Sequence, residues 1–200
     1  EGTCDLVVIA MGNESERHLA ERLARNSPVG VLALPTGVTP PPRRVLASLD
    51  LSDPSPLALE WAEAFTTLAN PPAEKLCLHV QRFAFKSFSS AVTRETLEKA
   101  HRLAAGRHLN NFLTQNERRP SDWELLVADG EFPATAILGE VVRAKADLLV
   151  VGGYGKNAFS SMLIGSTTAE LVRRSPIPIL VVKRRNKSLE FLRKLLGTRG

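Results

Sequence analysis

Cysteine is scarce in this sequence, with two among 200 residues, Cys4 and Cys77. They fit neither a disulfide framework nor the paired spacing of a metal site. No apolar run approaches the roughly 18–20 residues that a helix needs to cross a bilayer, and the starting segment EGTCDLVVIA lacks the basic region of a signal peptide. We therefore expect a cytoplasmic protein in which Cys77, inside the apolar run KLCLHV, is a small buried side chain.

A basic surface spread over the whole chain is also lacking. The formal net charge is +5, but residues 183–200 alone hold seven basic residues and one acid, so the rest is close to neutral. A nucleic-acid-binding protein more often carries a basic face across its fold, and we expect no nucleic-acid partner. Residues 186–200 predict a basic terminal helix with a leucine face. Docking on the protein, contact with a partner and weak membrane-surface association all remain open for it.

Short apolar runs alternate with helical patterns from Arg43 onward. The runs RRVLASLDLSD, EKLCLHV, WELLVAD, DLLVVGG and IPILVVK predict five strands, the first ending near Asp50 and the second at Val80. The first is almost continuously apolar, which is typical of a strand buried on both faces. Strands alternating with helices predict an α/β fold with an open five-stranded parallel sheet and helices on both faces. Pro176 and Pro178 favour an edge position for the last strand.

The longest predicted helix runs from Thr93 to about Gln115. Its apolar positions recur at helical spacing and define the face expected to pack on the sheet. These positions are Leu97, Ala100, Ala104, His108 and Phe112.

Two stretches near the amino terminus resemble stretches near the carboxyl terminus. DLVVIAMG, from Asp5, resembles DLLVVGGY, from Asp147, and ARNSPVGVLAL, from Ala24, resembles VRRSPIPILVV, from Val172. Chance similarity between two strand–helix–strand units is one interpretation. We favour a decayed duplicate domain that keeps only part of its repeat and has lost the Gly-Ser end of the motif described below.

This interpretation divides the chain into four parts. Residues 1–37 are a partial, degenerate repeat, residues 38–42 a stiff proline-rich linker, residues 43–185 a full domain and residues 186–200 the basic tail. The short repeat cannot bury a core alone, so it must pack on the full domain or on a first half not contained in this sequence. We predict that the strand at residues 29–34 pairs within the chain with the strand at residues 177–182.

The stretch GGYGKNAFSSMLIGS, Gly152 to Ser166, is the most informative motif. Glycines at a strand end let backbone approach a ligand without a Cβ. Gly165 and Ser166 open a helix whose free N–H groups and positive dipole end suit a phosphate. Thr167 and Thr168 follow with further hydroxyl donors.

Together these residues resemble the universal stress protein family. The resemblance rests on Asp50, on LHV closing the second strand, on Gly152-x2-Gly155-x9-Gly165-Ser166 and on the ending SPIPILVVKRR. It covers residues 43–185 in full and 1–37 in part.

The resemblance implies a sheet in the order 3-2-1-4-5, of the adenine nucleotide alpha hydrolase-like type, and pairing through the last strand. It also implies binding of ATP or a related adenine nucleotide, with or without Mg²⁺. By the same analogy Val80 and Val151 flank the base. Many relatives carry His where Tyr154 stands.

The implied strand order agrees with a general rule for open parallel sheets. Ligands bind at the carboxyl ends of strands where the order reverses, which here lies between the strands ending in Asp50 and Gly152. Asp50 is an acceptor suited to ribose hydroxyls or an adenine amino group. We expect one nucleotide per chain, because the partial repeat has Ala10 where the full domain has Gly152.

Each residue of the site has another interpretation. Asp50 alone fits a turn or helix cap, Gly165 a simple helix start, and Val80 and Val151 the core. GYGKNA matches the loose dinucleotide fingerprint but follows the fourth strand instead of the first. We interpret the protein as a regulatory nucleotide-binding module. No base is placed to activate water, so we expect at most slow hydrolysis. A non-binding dimerisation module and a small-molecule enzyme of the same class are the alternatives.

Overall fold

The computed structural model describes residues 6–37, 41–52, 55–81, 94–153 and 164–183. In these residues none of the helices is both long and apolar enough to span a bilayer. The elements in chain order are β1 (Leu6–Met11), α1 (Glu14–Asn26), β2 (Gly30–Pro35), β3 (Arg44–Ser48), α2 (Ser55–Thr67), β4 (Glu74–Gln81), α3 (Arg94–Gln115), β5 (Glu124–Asp129), α4 (Pro133–Arg143), β6 (Leu148–Gly152), α5 (Ser166–Arg174) and β7 (Ile179–Val182).

The strands form one sheet in the order β1-β2-β7-β6-β3-β4-β5. The five strands from β3 to β7 run parallel in the predicted order 3-2-1-4-5. The expected strand number was wrong, because the sheet has seven strands. Residues 1–37 supply the other two, β1 and β2, which are parallel to each other and extend the sheet beyond β7.

The pairing predicted between residues 29–34 and residues 177–182 is present. β2 and β7 run antiparallel, with Val31 opposite Val181, Leu32 opposite Leu180 and Ala33 opposite Ile179. The ladder is therefore centred on Leu32 and Leu180, which are equivalent positions in the two similar stretches. This is the self-complementary arrangement of an isologous interface, formed here inside one chain.

The predicted edge position of β7 was wrong. β7 lies between β6 and β2, and its two prolines precede Ile179, where they remove no N–H from the ladder. The carbonyl of Pro178 instead accepts a hydrogen bond of 2.9 Å from the Leu149 amide. Proline at the start of a strand is compatible with a central position, because only the N–H of that residue is lost.

Helices cover both faces of the sheet, as predicted. α1, α4 and α5 pack on one face through small and branched side chains such as Ala20, Ile137 and Val172. α2 and α3 pack on the other face through side chains such as Leu59 and Leu109. Cys77 is fully buried on that second face, as the sequence indicated. Burial raises the pKa of its thiol well above the usual range. The thiol therefore stays protonated and unreactive.

The packing face predicted for α3 was displaced by one residue. Ala105, Leu109 and Leu113 are buried, whereas Ala100 and His108 are exposed. The buried row has Leu109 where the predicted row has His108, and Leu113 where it has Phe112, which stays partly buried beside the same core. Burying a leucine releases about 1.5–3 kcal/mol of apolar transfer free energy, so the helix turns this row towards the sheet.

The two similar stretches end their helices in the same way. The Ser27 amide donates to Leu23 O, and the Ser175 amide donates to Leu171 O, both at 2.8 Å. Each serine hydroxyl then donates across a proline to the carbonyl two residues on, that of Val29 at 2.9 Å or of Ile177 at 2.7 Å. The same turn therefore delivers the chain from helix to strand in both places.

Two cations tie these helix ends to one another. Arg17, on α1, donates to Arg173 O at 3.1 Å and Ser175 O at 2.9 Å. Lys183, after β7, donates to Arg25 O at 3.1 Å and Ser27 O at 2.8 Å. A cation is favourable at the negative end of a helix dipole, so each segment stabilises the carboxyl end of the other segment's helix.

We expect Lys183→Met to destabilise the fold, because it leaves the two carbonyls without their donor. Lys183 is only 6% exposed, and a lost bond of this kind costs on the order of 1–3 kcal/mol of unfolding free energy. Desolvation lowers the pKa of Lys183 from 10.5 to about 8. Between these values the unfolded state binds more protons than the folded state, so the free energy of unfolding rises with pH as the desolvation penalty on the charged ammonium is relieved.

The check is urea unfolding of the wild type and of Lys183→Met from pH 7 to pH 11. The difference in unfolding free energy should widen between about pH 8 and 10.5, since all other titrating groups are shared. A difference that stays constant or shrinks over this range would contradict this role of Lys183.

Candidate functional site

The carboxyl ends of β3 and β6 meet where the strand order reverses. In the parallel ladder between these strands Ser48 lies opposite Val151, so the chain beyond Ser48 continues alongside Gly152. Asp50 follows two residues after the end of β3. The structure therefore brings Asp50 and Gly152 to the same edge of the sheet, as the sequence predicted.

Asp50 is exposed and organises the turn between β3 and α2. Its Oδ1 accepts hydrogen bonds from the Ser52 amide and the Ser55 hydroxyl, both at 3.0 Å, and from the Ser52 hydroxyl. The turn interpretation of Asp50 is thus present in the fold. It does not exclude a ligand role, because a carboxylate has two acceptor oxygens, and the same bonds fix the carboxylate at the strand end.

The backbone next to Asp50 has an uncommon conformation that the sequence did not reveal. Leu51 has φ 59, in the left-handed region that few residues other than glycine adopt. The residue before Asp50 is held by His79, whose Nδ1–H donates to Leu49 O at 2.8 Å. Such strained backbone clusters at ligand sites. No signal for it exists in the sequence, since Asp-Leu-Ser contains no glycine.

The end of β6 is tied to the start of α5 by the backbone. The Gly165 amide donates to Gly153 O at 2.9 Å, and the Gly153 amide donates to Val182 O at 2.8 Å. A Cβ at Gly153 would lie 3.0 Å from Lys183 Cγ and 3.1 Å from Val182 O. Close packing therefore favours glycine at position 153, because a Cβ would press on both neighbours. No role was predicted for it from the sequence, although the Gly-Gly pair was a usable signal.

Thr168, expected from the sequence to donate to a phosphate, donates to backbone in this structure. It is 7% exposed, and its hydroxyl donates to Gly152 O at 2.9 Å, so it anchors the strand end. Ser166 is exposed and Thr167 half-buried, which leaves their hydroxyls near the surface. Of the three hydroxyls expected to bind phosphate, that of Thr168 thus holds backbone, while the other two belong to an exposed and a half-buried residue.

The amino end of α5 differs sharply from that of α1. Gly165 caps α5 with φ −65 and ψ 154, makes no side-chain cap hydrogen bond, and no acid occurs in the first turn. α1 is closed by a capping box, in which Asn13 Oδ1 accepts from the Glu16 amide at 3.0 Å and Glu16 Oε2 accepts from the Asn13 amide at 3.2 Å. Glu16 also accepts from the Gly12 amide. α1 therefore satisfies its own first donors and places negative charge there, whereas within the described residues α5 has neither a side-chain cap nor an acid at its start.

The remaining predicted site residues vary in accessibility. Val151 is 3% exposed and its side chain lies in the core, so only its backbone can face a ligand. Val80 is half-buried and packs against the same core. Gly155, like Tyr154 and Lys156, lies outside the residues that the structure describes. Among the described residues no group of three or more His, Cys, Asp or Glu side chains is arranged to hold a metal ion.

A separate cleft of about 370 Å³ lies at the opposite, amino ends of the strands. It is lined by Glu63, Glu117, Arg118, Arg119, Asp122 and Trp123. Its two arginines are paired with carboxylates, Arg118 with Glu63 at 3.1 Å and Arg119 with Asp122 at 3.2 Å. These ion pairs neutralise the cations that an anionic ligand would need, so the glycine-lined edge is the better candidate for a phosphate.

Comparison with known proteins gives a consistent picture. The model of the universal stress protein family matches residues 42–183. The universal stress protein MJ0577 of Methanocaldococcus jannaschii is 26% identical over 158 residues, which cover 72% of this chain and 96% of that protein. A shorter match to a Thermus aquaticus universal stress protein, 41% identical over 51 residues, spans 26% of this chain and 37% of the relative.

A solved structure is similar to most of this chain. The universal stress protein of Archaeoglobus fulgidus superposes with a TM-score of 0.58 at 20% identity, over 92% of this chain. This chain spans only 62% of the length of that protein. At this identity the likeness concerns the fold alone.

We expect Thr168→Val to lower the free energy of unfolding by about 0.5–1.5 kcal/mol, the net contribution of one intramolecular hydrogen bond. Valine keeps the shape of threonine but cannot donate to the Gly152 carbonyl. Thr168→Ser keeps the hydroxyl and is the matched control for the bond, although it loses a methyl group. Denaturant unfolding of the three proteins is the measurement, and a valine variant as stable as the wild type would show that the bond does not hold the strand end.

Proposed function

Since the chain belongs to the universal stress protein family, we propose that it is a regulatory module that binds ATP or a related adenine nucleotide at the carboxyl ends of β3 and β6. One observation carries this proposal. α5 begins at an uncapped glycine without acids, next to the point where the strand order reverses. Backbone N–H groups at such a position are suited to a phosphate.

The described residues fit an adenine nucleotide in their donor and acceptor chemistry. The N–H groups that follow Gly165, together with the Ser166 and Thr167 hydroxyls, would donate to phosphate oxygens. The Asp50 carboxylate would accept from ribose hydroxyls or the adenine amino group. Gly152 would admit the ligand close to backbone. Thr168 acts through Gly152 O and positions this edge.

The base is proposed to lie beside Val80 and the backbone of Val151. Gly155 belongs to the same proposed set through the spacing of the glycine motif. Mg²⁺, if it accompanies the phosphates, would be held mainly by them, because Asp50 is the one carboxylate in the proposed set of ligand-binding residues. The bound nucleotide would act through conformation or assembly, with at most slow hydrolysis.

We further propose that residues 1–37 are a partial tandem repeat that replaces a partner subunit. The edge of β7 through which a second chain could pair is already occupied by β2. The ladder centred on Leu32 and Leu180, together with the reciprocal contacts of Arg17 and Lys183, supports this view. A non-binding dimerisation module through β7 is disfavoured by the same occupancy.

We expect Asp50→Ala to weaken ATP binding roughly 5- to 150-fold, which corresponds to about 1–3 kcal/mol for a lost acceptor in a largely buried complex. Because Asp50 also binds Ser55 in the turn, Ser55→Ala is the matched control, removing that turn bond while keeping the carboxylate. Calorimetric titration with ATP, with circular dichroism to verify folding, separates the two effects. Equal affinities for wild type and Asp50→Ala, or equal losses in both variants, would contradict a ligand role.

We expect Gly165→Val to abolish most ATP binding while adenosine binding suffers less, because the branched side chain would stand where phosphate meets backbone. The φ of −65 at Gly165 is allowed for valine, so the substitution requires no change of backbone conformation. Gly139→Val, at an exposed helix position with open space around it, controls for introducing valine. Equal losses for ATP and adenosine, or no loss, would show that α5 does not hold the phosphates.

A further inference from the structure

Lys183 contacts two separate parts of the fold with one side chain. It directly follows β7 and is 6% exposed. Its ammonium donates to Arg25 O at 3.1 Å and to Ser27 O at 2.8 Å, at the carboxyl end of α1. Its stem lies against Gly153, where an added Cβ would stand 3.0 Å from Lys183 Cγ and 3.5 Å from Lys183 Cε. The side chain therefore joins the end of α1 to the residue that follows β6.

Gly153 extends this contact to the start of α5. Its amide donates to Val182 O at 2.8 Å, and its carbonyl accepts from the Gly165 amide at 2.9 Å. Gly165 is the residue that caps α5. A shift of Gly153 would therefore move the acceptor that holds Gly165, next to the N–H groups proposed to bind phosphate. Such groups need to be held within about 0.5 Å of their productive geometry.

The other similar stretch shows that the sheet itself does not need this glycine–lysine pair. Aligning the two stretches places Met11 at the position of Gly153. Pro35 stands at the position of Lys183. Met11 and Pro35 lie opposite each other in the β1–β2 ladder, and Met11 is 1% exposed. A bulky side chain and a residue without charge thus complete the equivalent strand ends, in the stretch that lacks the Gly-Ser end of the motif.

The need for a cation at a helix end does not explain the position of Lys183 either. The carboxyl end of α5 receives its cation from Arg17, which is a residue of α1. A cation can therefore reach such an end from the surface of a neighbouring helix, away from the strand ends. Lys183 instead reaches the end of α1 from a strand end, along a path that brings its stem against Gly153.

We propose that Lys183 is a positioning residue for the phosphates, acting through Gly153, and that it makes ATP binding depend on the docking of α1. This inference rests on the proposed function. The ammonium, fixed on two carbonyls of α1, holds the stem against Gly153, and Gly153 in turn fixes the amide of Gly165. Bound phosphate then stabilises the end of α1 through the same contacts, because coupling between two sites is reciprocal.

The first test compares the ATP and adenosine affinities of the wild type and of Lys183→Met by calorimetric titration. Methionine keeps most of the stem but has no ammonium to fix it. We expect ATP to bind roughly 2- to 30-fold more weakly, the usual range for residues that act on a site through their neighbours. Adenosine has no phosphates, so its affinity should be unchanged.

Further variants separate positioning from a loss of stability, with circular dichroism to verify folding. Gly153→Ala adds a Cβ against the stem and should also weaken ATP binding selectively. Arg17→Met removes the cation from the carboxyl end of α5 and should leave both affinities unchanged. The double variant Lys183→Met/Gly153→Ala should lose less affinity than the product of the two single losses, because an unfixed stem can move away from the added Cβ.

Hydrogen exchange at the carboxyl end of α1 supplies a readout that a purely structural role would not change. ATP should slow the exchange of the amides of residues 24–27 in the wild type but not in Lys183→Met, and adenosine should slow it in neither. The carboxyl end of α3, residues 112–115, is the internal reference, because a general stabilisation by ligand would protect both helix ends alike.

The outcomes distinguish this inference from the proposed function. A folded wild type that binds no ATP would overturn both. If the wild type binds ATP, an unchanged ATP affinity in Lys183→Met would overturn the inference alone, as would equal losses for ATP and adenosine. A loss in Arg17→Met as large as that in Lys183→Met would trace the effect to stability, and equal protection of residues 24–27 in the wild type and Lys183→Met would exclude coupling through Lys183.

Discussion

The antiparallel ladder between β2 and β7 is the interaction on which the rest of this structure depends. It places β7 inside the sheet and brings the carboxyl end of α1 to Lys183, whose ammonium is buried on two carbonyls of that helix end. The stem of Lys183 packs closely on Gly153, where a Cβ would have to displace its neighbours by a few tenths of an ångström. Gly153 in turn accepts the amide that begins α5. The pairing of the two segments and the geometry of the candidate site are therefore connected through a short series of contacts.

Similar segments have acquired opposite helix starts within this arrangement. Both end in the same serine–proline turn, yet α1 closes its first turn with its own carboxylate and α5 leaves its first turn to a glycine. A carboxylate beside the first N–H groups supplies the charge that a phosphate would otherwise supply. One helix start is thus stabilised internally, and we propose that the other is completed by a ligand. The local chemistry of a few residues, and not the fold, makes the difference.

Much of this could be read from the sequence because it depends on patterns of burial. Continuous apolar runs indicated strands covered on both faces, and the similarity between residues 24–34 and 172–182 predicted their pairing. The number of strands was underestimated because residues 1–37 were counted apart from the sheet that they join. The prolines before Ile179 were misleading because proline disrupts a ladder only where its own N–H is needed.

Other features could not be predicted because they depend on contacts between distant residues. The face that α3 buries was decided by which row of side chains contributes more buried area, a choice that helical spacing alone leaves open. Thr168 was grouped with its neighbours as a phosphate donor, but the position of Gly152 O determined its role. The left-handed Leu51 has no sequence signature at all.

The central claim is that, of the amino ends of α1 and α5, only that of α5 binds a nucleotide. Calorimetric titration of the folded chain with ATP tests it most directly, because the fitted stoichiometry counts sites without assuming where they lie. We predict one ATP per chain, bound at the start of α5 while the carboxylate of Glu16 occupies the start of α1. A stoichiometry near two, or no heat of binding from a well-folded protein, would contradict this claim.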